Sequence, residues 1–209
     1  MISAKRITTL KAKHKAYILR TCAKDMSAHG GFVWPKKGLV SCPDWNPAPQ
    51  CGGGLHGLLW GIGDGQLLDW DDGAKWLVVG IDEWVDLEGK VKTPSGEVVF
   101  CGKAADAVAL LVVLGADPTK CVRGQATASG DSGQATASGY RGQATASGYL
   151  GRAAAGPFGT LVFRWFDGER FRIVAAYVGE AGIEAGRYYR LNDAGEIIPT
   201  GEYIQKESK

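Results

Sequence analysis

The amino-acid sequence predicts a mainly β protein of α+β character. A short β-solenoid of nonapeptide repeats lies between an N-terminal α+β region and a C-terminal β-meander. Three observations predict this. Residues 124–159 read GQATASGDS, GQATASGYR, GQATASGYL and a degenerate GRAAAGPFG in tandem, and self-similarity at a short fixed period marks a stacked-repeat architecture. Only one stretch, Ala104 to Leu114, is a convincing helix. Two hairpin signals follow the repeats. The expected parts are residues 1–122, with one buried helix and a Gly/Pro/Trp-rich loop, the repeats at 123–159, and the meander at 160–209.

Taken in order, the first twenty residues carry Lys5, Arg6, Lys11, Lys13, Lys15 and Arg20 with no acid among them. The favoured reading is a solvated, partly frayed terminus, with contact to an anionic partner second. Lys15 to Cys22 predicts a first strand through Tyr17, Ile18 and Leu19. Residues 25–65 are dense in glycine and proline, which forbids long regular elements. Phe32, Trp34, Trp45 and Trp60 argue against disorder and for a rigid loop packed by its own aromatics. Lys75 to Ile81 predicts a strand. Val91 to Thr93 and Glu97 to Cys101 are expected to pair around Pro94-Ser95-Gly96. Gly115 and Pro118 stop the Ala104–Leu114 helix, which is apolar nearly all round and placed to plug the open end of the solenoid.

Inside each repeat, Gln-Ala-Thr-Ala-Ser alternates polar with small apolar, the period-2 pattern of a half-buried strand. Alanines 126, 128, 135, 137, 144 and 146 face one side, and Gln125, Thr127, Ser129 and their equivalents face the other. A core of alanine alone removes little apolar area from water. At about 25 cal/mol per Å² such a roll needs packed ends, a covering layer or sister chains. A flexible linker would not need this strict register. A calcium-binding roll needs aspartates in its turns, and only Asp131 occupies such a position. The polar ladder could also present a flat ice-like face, but three rungs make a small one. After the repeats, Thr160 to Phe166 and Arg170 to Val178 flank Asp167-Gly168-Glu169, and Tyr188 to Leu191 and Glu196 to Ile198 flank Asn192 to Gly195. Residues 205–209 are expected to fray.

The formal net charge of +2 gives no case for nucleic acid. No apolar run approaches membrane-spanning length or a signal peptide, so a cytoplasmic protein without membrane partners is expected. Five dispersed cysteines suit reduced thiols.

The most unusual motif is Cys42-Pro-Asp-Trp-Asn-Pro-Ala-Pro-Gln-Cys51-Gly-Gly-Gly-Leu-His56-Gly. Four readings compete. Cys42, Cys51 and His56 could ligate zinc, though without paired-knuckle spacing. Cys51 and His56 could form a thiol–base pair oriented by Asp44. The glycines could form an anion-binding nest of backbone N–H groups, with Trp45, Asn46, Gly52, Gly53, Gly54 and His56 as the ligand-binding set. The fourth reading is a rigid structural loop. No cofactor and no catalytic residue is expected.

Cys42 to Gly57, with Lys75-Trp-Leu-Val-Val79, Val98-Val-Phe-Cys-Gly102 and the repeats, resembles a family of bacterial and phage proteins that carry short Gly/Ala/Thr/Ser solenoid repeats. The repeats separately resemble the heads of trimeric autotransporter adhesins and, more loosely, ice-nucleation repeats. The resemblance implies a phage or prophage origin and no activity to carry over. The expected function is therefore a non-enzymatic, self-associating binding protein, a homotrimer first and a dimer second. It would sequester a small anionic ligand such as a signalling nucleotide against host defence, in the host cytoplasm if phage-encoded. A metal- or thiol-dependent enzyme centred on Cys42, Cys51 and His56, and a purely structural oligomerisation module, are the alternatives.

Overall fold

The computed structural model describes residues 3–205, so the expected fraying from residue 206 onward lies outside them. The protein is mainly β, with 39% strand against 13% helix. It divides into two compact units, Met1–Asp117 and Pro118–Lys209.

Unit 1 opens with α1 (Ala4–Lys13), capped by the Ser3 hydroxyl, which accepts from the Arg6 backbone N–H. The expected frayed terminus is thus a docked helix. Leu10 is buried, the Tyr17 hydroxyl donates to the Leu10 carbonyl at 2.6 Å, and Arg6 donates to the Val99 carbonyl at 2.9 Å. Lys13 and His14 both meet Glu97. Arg6 and Lys13 are thus spent on their own fold.

The strands of unit 1 are β1 (Ala16–Cys22), β2 (Gly38–Ser41), β3 (Leu55–Leu59), β4 (Lys75–Ile81), β5 (Val85–Asp86), β6 (Val91–Thr93) and β7 (Ser95–Gly102). They form one antiparallel sheet in the order β2-β7-β4-β1-β3-β6-β5. β6 and β7 do not pair, contrary to expectation: β6 joins β3 and β5, and β7 joins β2 and β4. Only Pro94, which has no N–H for a ladder, separates them. Two strands one residue apart in the chain and four places apart in the sheet require the sheet to curl.

β1 and β4 are apolar without alternation because both faces are covered. The helix α2 (Ala104–Leu114) packs on β1, β4 and β7 through a buried set that includes Ala107, Leu111 and Leu114. The sequence suggested it as a plug for the solenoid; its apolar surface is used on this sheet instead. The other face carries Ile18, Cys22, Val40, Leu55, Leu77 and Val79 against Met26 and Trp34. This second layer is the Gly/Pro/Trp-rich segment, held in place by its aromatics.

Unit 2 contains the repeats. Its strands are β8 (Gln125–Ala128), β9 (Gln134–Ala137), β10 (Gln143–Ala146), β11 (Arg152–Ala155), β12 (Thr160–Phe166), β13 (Phe171–Tyr177), β14 (Arg187–Leu191) and β15 (Ile197–Tyr203). β8 stacks in parallel on β10, with Gln125 opposite Gln143 and Thr127 opposite Thr145, and β9 stacks likewise on β11. Each nonapeptide is therefore half a coil, and successive repeats alternate between two sheets. The three rungs read from the sequence become two per face. The two hairpins extend one sheet each, giving the orders β13-β12-β10-β8 and β15-β14-β11-β9.

Between the sheets lie Ala135, Ala137, Ala144, Ala146, Ala153 and Ala155, with Leu161, Phe163, Val178 and Tyr189 from the C-terminal segments. The hairpins supply the bulk that alanine lacks. Alanine is required because the sheets meet closely, and glycine is required where one coil lies on the next. A Cβ on Gly148 would sit 2.1 Å from the Gly130 carbonyl oxygen of the coil below, whereas one on Gly130 would meet nothing within 4 Å.

Candidate functional site

The loop from Cys42 to Gly57 is organised around Lys92. Lys92 lies opposite His56 on the β3–β6 ladder and is fully buried. Its ammonium donates to the Gln50 carbonyl at 2.8 Å and the Gly52 carbonyl at 3.1 Å, and lies 5.7 Å from the Trp45 ring centroid. Its stem crosses Gly54, where an added Cβ would come within 2.8 Å of the Lys92 Cβ. Gly53 holds φ +53° and its carbonyl accepts from the Asn46 N–H at 2.9 Å. The bend thus turns carbonyl oxygens inward onto a cation. A nest for a phosphate needs converging N–H groups; the contacts of the bend with Lys92 are made by carbonyls, and Asn46 and Trp45 meet the loop and Lys92.

The other two readings of the motif also separate. The Cys42 thiol donates to Asp44 at 3.0 Å, and burial, then this acceptor, pushes its pKa up. Cys51 is exposed and takes a 2.8 Å hydrogen bond from the Lys90 ammonium, which lowers its pKa. His56 bonds to the Gly54 backbone, and its pKa is lowered to about 4, first by burial and then by Lys90, Arg20 and Lys92. Neither thiol bonds to the imidazole, and among the described residues no three His, Cys, Asp or Glu side chains cluster as metal ligands do. The arrangement supports the rigid-loop reading.

Beside the loop is a cleft of about 770 Å³, within the range of small-molecule sites. Gly52, Gly53, Gly54 and His56 of the expected ligand set line it; Trp45 and Asn46 do not. Arg20 and Trp34, which sequence reasoning did not single out as site residues, do. Arg20 lies on the same face of β1 as Ile18 and Cys22, donates to the His56 carbonyl at 2.8 Å and stacks 4.8 Å from the Trp34 ring centroid. A charged residue inside the apolar Lys15–Cys22 run was the available signal.

In unit 2, the outward faces of the two sheets differ. On one, Tyr188 is buried against the ladder, its hydroxyl 2.5 Å from Gln134 Nε2 and 2.6 Å from Thr136 Oγ1. On the other, Gln125, Thr127 and Gln143 are exposed and Thr145 half-buried, in register. That row continues over Thr160 and Val162 of β12 to Ala175 and Tyr177 of β13.

Comparison with known proteins places about half of the chain beside ice nucleation proteins. Ice nucleation protein InaU of Pantoea ananas is 39% identical over 116 residues, 54% of this chain and 11% of that protein. The ice nucleation protein of Xanthomonas campestris pv. translucens is 42% identical over 98 residues, 45% of this chain and 6% of its own length. That of Pseudomonas syringae is 39% identical over 108 residues, 50% of this chain and 9% of its own. The chain thus spans about a tenth of the length of these relatives. No family model matches the chain. No solved structure matches it either.

These relatives correct the expected function. A phage anti-defence protein sequestering a nucleotide finds no counterpart among them; what the chain matches is bacterial ice nucleation protein. The same finding overturns the cytoplasmic placement. The enzyme centred on Cys42, Cys51 and His56 has no support in either the geometry or the relatives. Among the described residues no helix is long and apolar enough to cross a membrane.

Proposed function

We propose that the protein is a non-enzymatic repeat module whose exposed solenoid face organises water, as ice nucleation requires. One observation carries this reading: the in-register ladder of Gln125 on Gln143 and Thr127 on Thr145. Stacked strands stand about 4.8 Å apart, so the ladder repeats hydroxyl and methyl groups at a fixed short interval on a flat, rigid surface. A flexible hydrophilic surface leaves its hydration shell disordered. A fixed lattice of donors, acceptors and methyls imposes its own spacing on that shell. The names of the relatives, which share 39–42% of the aligned residues, support the same reading.

Two rungs are a small template, so many rungs must act together. Self-association of copies supplies them. Three copies is the first arrangement and two the second, since association adds rungs that a single chain lacks. The test is droplet freezing with the purified full chain, alongside its mass by sedimentation. Droplets containing the protein should freeze warmer than buffer, and the Thr127→Glu/Thr145→Glu double variant should lose the difference. Freezing at the buffer temperature at every protein concentration, or unchanged freezing in the double variant, refutes the reading. A monomer at all concentrations refutes the association alone.

A further inference from the structure

Three residues that line the unit 1 cleft each carry a buried side-chain nitrogen with no hydrogen-bond partner among the described residues: Arg20 Nε, Trp34 Nε1 and His56 Nε2. Buried polar atoms in native proteins are overwhelmingly satisfied, and each unsatisfied one is destabilising. Three around one cleft mark a place built for a missing partner. Trp34 is itself 2% exposed, so its N–H lacks bulk water as a partner. Among the described residues no carboxylate pairs with Arg20, and burial lowers its pKa. A half-buried guanidinium whose Nε is shut off from water gains from an anion that joins it.

We propose that this cleft binds a small carboxylate that carries a hydroxyl or amine on the adjacent carbon. Arg20 Nε–H and Trp34 Nε1–H are two donors for the two carboxylate oxygens. His56, neutral and holding the Gly54 backbone with one ring nitrogen, offers the other as an acceptor for the neighbouring hydroxyl or amine. Its carbonyl fixes Arg20 through the 2.8 Å bond from Nη1, and the stacked Trp34 ring holds the guanidinium plane. The glycine bend lines the same cleft, but the Gln50 and Gly52 carbonyls are taken up by Lys92. The site is independent of the solenoid reading, since every residue named belongs to unit 1.

The experiment is a ¹H–¹⁵N titration of the full chain, following the Trp34 indole resonance, assigned by its loss in Trp34→Phe. The probes are lactate, alanine, acetate and inorganic phosphate. Lactate or alanine should shift the resonance saturably, with acetate weaker by about tenfold for want of the His56 bond. Trp34→Phe, which keeps the ring, should weaken binding about tenfold by calorimetry. Arg20→Gln should abolish it. Should Arg20→Gln fail to fold, His56→Phe serves: it should bring lactate down to the level of acetate. An indole resonance unmoved by every carboxylate overturns the proposal. So does a response to phosphate alone, or equal binding of lactate and acetate.

Discussion

Gly148 and Gly130 occupy the same position in successive coils, and replacing each with alanine isolates coil stacking from every other effect. The added Cβ at 148 would lie 2.1 Å from the Gly130 carbonyl oxygen, 2.5 Å from its carbon and 2.9 Å from the Ser129 oxygen. Ordinary contact begins near 3.4 Å, so the coils must part by roughly an ångström. The obstacle is backbone, which cannot rotate away. Overpacking of this kind costs typically 1–3 kcal/mol, and we expect the upper end, about 3 kcal/mol. For a unit of this size each kcal/mol moves Tm by about 4–8 °C, so Gly148→Ala should lower the unit 2 transition by roughly 12–24 °C. At Gly130 the new methyl meets nothing within 4 Å, and its φ lies outside the range that excludes alanine. Gly130→Ala should therefore be neutral or raise stability by about 0.4–1 kcal/mol through the unfolded chain. Thermal melts of the full chain by circular dichroism, with hydrogen exchange to assign the transition to unit 2, provide the comparison. Equal melting temperatures for the two variants would falsify the stacking of half-coils at eighteen-residue separation.

Two further outcomes follow from single side chains. Tyr188→Phe removes the hydroxyl shared by Gln134 and Thr136 and should cost unit 2 about 1–3 kcal/mol, read as a lower denaturant midpoint with unchanged slope; an unchanged midpoint would show that water replaces the hydroxyl freely. The pKa of His56 is depressed in the fold from 6.5 to about 4. The folded state therefore binds fewer protons than the unfolded one between these values, and stability present above pH 6.5 is lost as pH falls toward 4. The loss is bounded by about 3 kcal/mol at 1.4 kcal/mol per pH unit. His56→Gln should flatten the pH dependence of unit 1 stability in that window, and an unaltered slope would assign the dependence to other groups.

What the sequence determined by itself was everything written in local periodicity. The alternation of the repeats, the Lys75–Ile81 strand, the Ala104–Leu114 helix with its Gly115 stop, and both C-terminal hairpins follow from spacing and turn chemistry within a few residues. α1 was missed because it buries a single residue, Leu10, and leaves no apolar stripe to read. The tertiary structure alone decided the pairings at a distance. Identical nonapeptides cannot tell their neighbour at nine residues from that at eighteen, and the corner geometry chooses eighteen. Pro94 looks like a hairpin turn until β6 and β7 find partners four strand places apart. The glycine bend suggested an anion nest, but Lys92, some forty residues away in the chain, draws its carbonyls inward. The meeting of Arg20, Trp34 and His56 around one cleft has no sequence signature, because each comes from a different element: the β1–β3 pairing joins Arg20 to His56, and the packed loop brings in Trp34.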